Sequence, residues 1–268
     1  MSIKYFIRHI ELLVLYLIQF LKVRMSFKGD FIVGTFVSIC YHSITIYTIS
    51  VMFGKTPSLN GWKKEEIFFI YALCAIPFDI FSMLFTNLFR LGNNYIIEGE
   101  MDRLLLRPID PLLQLFMERI NLEKFFGVII GFIILFYASG RLSISWTFIN
   151  IIYLIISLVS GITIYAGVFT TIGSLSFWMP DRTGIVPTTW NLVAFGRYPV
   201  DIYNPFLRFI ISFVIPFAFV GFFPASQIMG HYEFRNIALL TPLVACICAV
   251  IGYTVWSMGL RKYESAGN

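Results

Sequence analysis

Residues 142–180 read LSISWTFINIIYLIISLVSGITIYAGVFTTIGSLSFWMP, 39 consecutive residues without Asp, Glu, Lys or Arg. A helix rises about 1.5 Å per residue, so roughly 20 apolar residues cross a hydrocarbon core about 30 Å thick. The stretch holds either one generous crossing or two minimal ones with a turn near Ser160 and Gly161. Both choices put the chain in a membrane. The choice between them fixes the side on which every later residue lies.

The rest of the chain agrees with lipid as solvent. Hydrophobic residues make up 58% of the 268 and charged residues 13%, whereas a soluble domain carries about 25% charge to cover its surface. Further uncharged or nearly uncharged runs lie at 31–54, 67–89 (interrupted only by Asp79), 120–140, 206–222 and 237–260. Cytoplasmic loops retain Lys and Arg, and this bias arbitrates the long run. With a single span at 147–179, six spans result and 15 of the 20 basic residues fall on the side of the termini; two spans there leave only 11. The expected architecture is an all-α membrane protein with six transmembrane helices and both termini cytoplasmic. Residues 1–28, rich in Lys and Arg around the short apolar run Leu12–Leu21, are expected to lie as a helix in the interface among anionic headgroups. No segment reaches the size of a soluble domain, so the chain is expected to be one transmembrane domain with its energy source on another subunit.

Function classes can be excluded by what the motifs lack. Gly54-Lys55-Thr56 ends like a phosphate-binding loop, but the glycine that should stand at position 49 is Ile49, so backbone N–H groups cannot wrap a phosphate there. His9, His42 and His231 are scattered, and Cys40, Cys74, Cys246 and Cys248 sit inside apolar runs without metal-ligand spacing. No catalytic residue, metal site or cofactor is expected on this chain. The net charge of +5 reflects membrane sidedness and gives no reason to expect nucleic acid.

Three features remain. Asp79 is the one carboxylate deep in a span, two residues after Pro77. A charge at the bilayer centre costs about 2.5–3.5 kcal/mol, so Asp79 must face a partner or water. It is a candidate for the translocation path, with a helix-packing pair as the alternative. The segment 91–115 carries Glu98, Gly99, Asp102, Arg103, Leu105, Leu106, Arg107 and Pro108, mixing charges with a leucine run that wants an apolar surface on a partner or on the protein itself. Finally, Pro216 and Pro224 bracket a Phe-rich stretch, and 223–236 is a candidate re-entrant hairpin, tolerated in a membrane only under cover of protein or a cavity.

In order and placement, several of these residues resemble the permeases of type-2 ATP-binding-cassette exporters, in the branch where two permeases pair with a separate ATPase. The resemblance rests on Glu98-Gly99-x-Met101-Asp102-Arg103-x-Leu105-Leu106-Arg107-Pro108, then Arg197-Tyr198-Pro199 with Tyr203, Val214-Ile215-Pro216-Phe217-Ala218, and Phe223-Pro224-Ala225 with Gly230. It covers almost the whole chain. It implies a cytoplasmic coupling helix between spans two and three and a re-entrant hairpin between spans five and six. It also implies an ATPase dimer that binds the ATP, and a second permease, heterologous or a second copy, with the path between the two. The expected location is the plasma (inner) membrane. The competing class, a secondary transporter or channel, would need more intramembrane ionisable residues than Asp79.

Overall fold

The computed structural model describes residues 28–179 and 185–265, so the interfacial helix expected at 1–28 lies outside the described residues. The described chain is helical. α1 (Lys28–Lys55) and α2 (Lys64–Leu84) form an antiparallel pair. They are joined by a tight turn in which Asn60 and Gly61 both take positive φ, 50° and 88°. Asn-Gly suits such a turn because both residues tolerate the left-handed region. Leu59 and Trp62 exchange two backbone hydrogen bonds of 3.0 Å across it.

α2 leads into a compact platform of short elements, with a 3-10 turn at Thr86–Arg90, a π turn at Leu91–Ile97, α3 (Glu100–Leu105) and α4 (Pro111–Met117). The chain then returns through α5 (Phe125–Arg141) and α6 (Phe148–Ser174). Residues 142–180 thus hold one helix, and its 27 residues span about 40 Å at 1.5 Å each. α6 packs lengthwise on the last long helix, α11 (Thr241–Leu260), which the short α10 (Arg235–Ala238) precedes. Gly167 and Gly252 make that contact possible. A Cβ at Gly252 would stand 2.7 Å from the Gly167 carbonyl oxygen, and one at Gly167 would strike the Cys248 carbonyl. Between apolar helices in lipid, such backbone approach replaces the missing hydrophobic drive. α2 is the central helix. Of its most apolar 18 residues 83% are buried, against 17% for α1 and 39% or less for the other three long helices.

The region between α6 and α11 departs from the sequence reading. That reading placed Gly196–Tyr203 at the same end as 91–115, with a span at 206–222 and a hairpin at 223–236. In the structure α7 (Ile185–Val193) starts at the platform end, where Trp190 meets Phe89 at 4.9 Å and lies under the Lys124 ammonium. Two 3-10 turns, Ala194–Arg197 and Val200–Ile202, carry the chain on to the α1–α2 turn. There the Asp201 carboxylate accepts from Trp62 Nε1 at 2.9 and 3.1 Å, and its carbonyl accepts from the Asn60 amide at 3.4 Å.

From this end α8 (Pro205–Phe209) and a π turn (Ile210–Val214) run back inward, the chain breaks at Ile215–Pro216, and α9 (Phe222–Met229) returns. The axis turns by 72° at the break. Phe217 lies 5.1 Å from Tyr165, and a Cβ at Gly221 would touch Cys74 and the Ile70 carbonyl, half-way down α2. The return is complete at His231, whose Nε2 is 3.0 Å from Glu66 at the start of α2. Both ends of 205–229 therefore lie at one end of the bundle, and the element enters without crossing. The sixth passage is the broken segment 185–202. Hydropathy counting missed it because α7 is only nine residues, includes Thr188, Thr189 and Asn191, and hands over to irregular backbone containing Arg197.

A labelling experiment separates the two arrangements. Cysteines at Asn60 and Asn204 should react with a membrane-impermeant maleimide from one face, and a cysteine at Leu106 from the other. Labelling of positions 204 and 106 from the same face would return Gly196–Tyr203 to the platform end.

Candidate functional site

The helix α2 presents Tyr71, Cys74, Ala75, Phe78 and Asp79 on one face, as positions three, four, seven and eight apart must. α1 lays Tyr41 and His42 against that face, and the turn after α7 adds Arg197. The resulting cluster is buried except at Tyr41. Asp79 is 3% exposed, His42 2% and Arg197 8%. His42 stands between two partners, with Nε2 3.0 Å from Asp79 Oδ2 and Nδ1 2.6 Å from the Tyr71 hydroxyl. Arg197 donates to the Tyr41 hydroxyl, and its guanidinium lies 5.0 Å from the Tyr41 ring centroid and 6.0 Å from that of Tyr71. Aromatic faces attract a desolvated cation and suit a guanidinium better than an ammonium. Cys74 Sγ and the Tyr165 hydroxyl of α6 share a 3.0 Å hydrogen bond at the edge of the cluster. These side chains enclose a cavity of about 10 Å³, room for roughly one water.

An acidic and a basic side chain, Asp79 and Arg197, thus line a single patch within the apolar layer. Gly127 of α5 closes it from behind. A Cβ there would stand 2.6 Å from Asp79 Oδ2 and 2.8 Å from His42 Nε2. Sequence reasoning found Asp79 but not its partners. His42 was one of three scattered histidines and Arg197 a boundary residue. The available signal was that His42 and Asp79 both fall mid-run in consecutive antiparallel spans, so they lie at similar depth.

The second assembly is the platform. Gly99 takes φ +78° and lets the π turn swing directly into α3, a conformation that favours glycine. Glu98 accepts from the Asn93 and Asn94 amides, both at 3.0 Å, and Asp102 accepts from the Ser265 hydroxyl at 2.6 Å. Asp110 caps α4 by accepting from the backbone N–H groups of Leu112 and Leu113. Gln114 donates to the Leu104 and Ile109 carbonyls, tying α4 under α3. Glu118 is the hub. Its carboxylate pairs with Arg103 at 2.8 Å and Arg107 at 3.9 Å, and accepts from the Tyr95 hydroxyl at 2.8 Å. Burial and the adjacent Glu118 charge push the Tyr95 phenol well above its ordinary range, so it remains a donor. Both arginines thus have a partner within the chain, while 54% and 36% of their side-chain surface stays exposed. The leucine run splits: Leu104 and Met101 are fully buried, Leu105 is 45% exposed and Leu106 87%. Pro108 is exposed beside them. Periodicity alone left open whether the run faced a partner or the protein, and three consecutive helical positions face both.

The buried pair gives a stability test. His42→Leu leaves the Asp79 carboxylate enclosed without its nearest partner, for an expected loss of about 3–5 kcal/mol. Asp79→Asn, which keeps a polar contact to His42, should cost less. The melting temperatures of the purified variants measure both, and a His42→Leu protein as stable as wild type would show that the pair contributes nothing.

Searches of curated proteins and of solved structures returned no match to this chain. The family model described as ABC-2 family transporter protein matches residues 39–267, which takes in the buried cluster, the platform and the re-entrant element. The chain belongs to the ABC-2 transporter family, as the membrane permease of an ABC transporter.

Proposed function

We propose that the chain is one of two permeases in an exporter of the plasma (inner) membrane, driven by a separate ATPase dimer that docks on the platform. Membership of the family entails association with an ATPase component. The observation that carries the docking assignment is the Leu105–Leu106 knob. Apolar side chains at the polar end of a membrane protein are held outward by a scaffold in which Arg103 and Arg107 already meet Glu118 within the chain. An apolar knob on a satisfied platform fits a groove on a partner better than it fits water.

The same scaffold supplies a route for force. Leu106 projects from the end of α3, and Glu118 clamps α3 to the end of α4 through Arg103. Three residues on, the Asn121 N–H donates to the Met83 carbonyl at 2.8 Å, in the last turn of α2. A push on the knob is thus delivered to the helix that carries Asp79. In this conformation Asp79 is paired and enclosed, so its part is that of a tie between α1 and α2; a translocation path along it would require those helices to separate. The platform end is assigned to the cytoplasm. With Arg197 and Arg208 moved to the opposite half, 8 of the 15 basic residues among those described lie on the platform side, so the assignment rests on the docking of the ATPase there. The translocation path is placed between this chain and its second permease, where the exposed face of α1 offers apolar surface.

Two leucine substitutions test the docking. Leu106→Asp should leave the melting temperature of the isolated permease unchanged while abolishing co-purification of the ATPase and substrate-stimulated ATP hydrolysis. Leu104→Asp should destabilise the permease itself by several kcal/mol, because it buries an unpaired charge. If Leu106→Asp retains the ATPase and full transport, the knob is not the coupling contact.

A further inference from the structure

Beside the platform, a recess of about 450 Å³ is lined by Thr86, Arg90, Arg119, Ile120, Asn121 and Glu123. It is as large as many small-molecule sites, and its walls are mainly polar. Arg90 and Arg119 come from opposite sides, one from the turn after α2 and the other from the residues before α5. Both are exposed, and among the described residues neither lies within ion-pair distance of a carboxylate. They differ in this from Arg103 and Arg107, which both lie within ion-pair distance of Glu118. Glu123 also lines the recess but has a partner of its own.

The depth of the recess narrows the ligand. The apolar segment that contains α5 begins at Leu122, one residue past Asn121, and that of α1 begins at Gly29. The first turns of the two helices meet there, with Phe31 6.1 Å from Phe126 and the Gly34 backbone against the Glu123 side chain. The recess therefore lies where two helices leave the apolar layer, at headgroup level. Phe125, half exposed, and the outward Ile32, Val33 and Phe36 of α1 supply apolar surface next to it. Two guanidiniums and a hydroxyl form a set of donors suited to a phosphate, because a guanidinium fork matches phosphate oxygens.

We infer that this recess binds the phosphate of an anionic lipid headgroup through Arg90 and Arg119, with Thr86 Oγ1 as a further donor and the acyl chains along the adjoining apolar surface. Such a lipid would bridge the start of α5 and the end of α2 and so fix the platform against the bundle. The inference does not depend on the transport cycle, and its test reads binding alone.

The test uses the purified permease–ATPase complex in detergent and short-chain phosphatidylglycerol, with phosphatidylcholine and inorganic phosphate as comparison probes. Phosphatidylglycerol should bind at least tenfold tighter than phosphatidylcholine. The Arg90→Gln/Arg119→Gln double variant should lose that preference with an unchanged melting temperature, while Arg141→Gln/Arg235→Gln, at the other end of the bundle, should keep it. Failure of millimolar inorganic phosphate to compete supports a lipid source. Full competition by it keeps the phosphate site but assigns it to a soluble compound. Undiminished phosphatidylglycerol binding by the double variant overturns the inference. So does a double variant that sheds only its ATPase, since the two arginines would then be a protein contact.

Discussion

The carboxylate of Asp79 must be kept out of lipid, and the arrangement of the bundle follows from that requirement. An ionised group in the apolar layer persists only where neighbours supply charge and hydrogen bonds. Here His42 from α1 stands 3.0 Å from the carboxylate, Tyr71 of α2 holds His42 in turn, Arg197 from the broken passage lines the same cavity, and Gly127 of α5 leaves the room they occupy. Enclosing α2 on all sides is how the fold meets this demand. The low burial of α1 elsewhere along its length shows the contrast. α1 touches the bundle along a stripe through Gly34, Ser38, His42 and Ile49 and presents Val33, Phe36, Val37 and Tyr47 outward.

The small residues take up the geometric consequences. Gly127 leaves space for the Asp79–His42 contact, and Gly131 admits Ile76 one turn further along. Gly161 lies against Pro77 and Val220, at a kink-prone position of α2. None of these contacts adds much attraction alone. Together they let polar side chains meet at hydrogen-bond distance inside a bundle whose helices would otherwise be held apart by their own methyl groups.

Much of this was legible in the sequence, and the reasons are physical. Long uncharged runs report crossings because backbone groups in lipid must be satisfied within the helix, and α1, α2, α5, α6 and α11 are all such runs. The residues quoted for the family resemblance map onto the platform, the broken passage and the re-entrant element, and the family match includes all three. The broken passage 185–202 was illegible because a crossing covered on all sides by protein need not be apolar. Its Arg197 reads as a loop residue until Tyr41 and Tyr71 are seen around it. Of the two prolines read as brackets, Pro216 ends the inward limb at a break, whereas Pro224 sits inside the returning helix. The platform charges were singled out by sequence, whereas their partner Glu118 lay beyond the stretch that drew attention.

The element 205–229 also has a consequence for how the chain is made. Its break at Ile215–Pro216 and the turn at Gly221 bring irregular backbone to the middle of the apolar layer, where lipid offers no hydrogen bonds. The surfaces that cover it belong to α2, through Ile70 and Cys74, and to α6, through Gly161, Tyr165 and Phe169. Both helices precede it in the chain. A ribosome feeding this sequence into a membrane from its N-terminal side therefore delivers the cover before the segment that needs it, and α11 arrives last to lock α6 through the Gly167–Gly252 contact. Moving the same element ahead of α6 in a permuted chain would preserve every native contact, yet it would expose the break to lipid during synthesis.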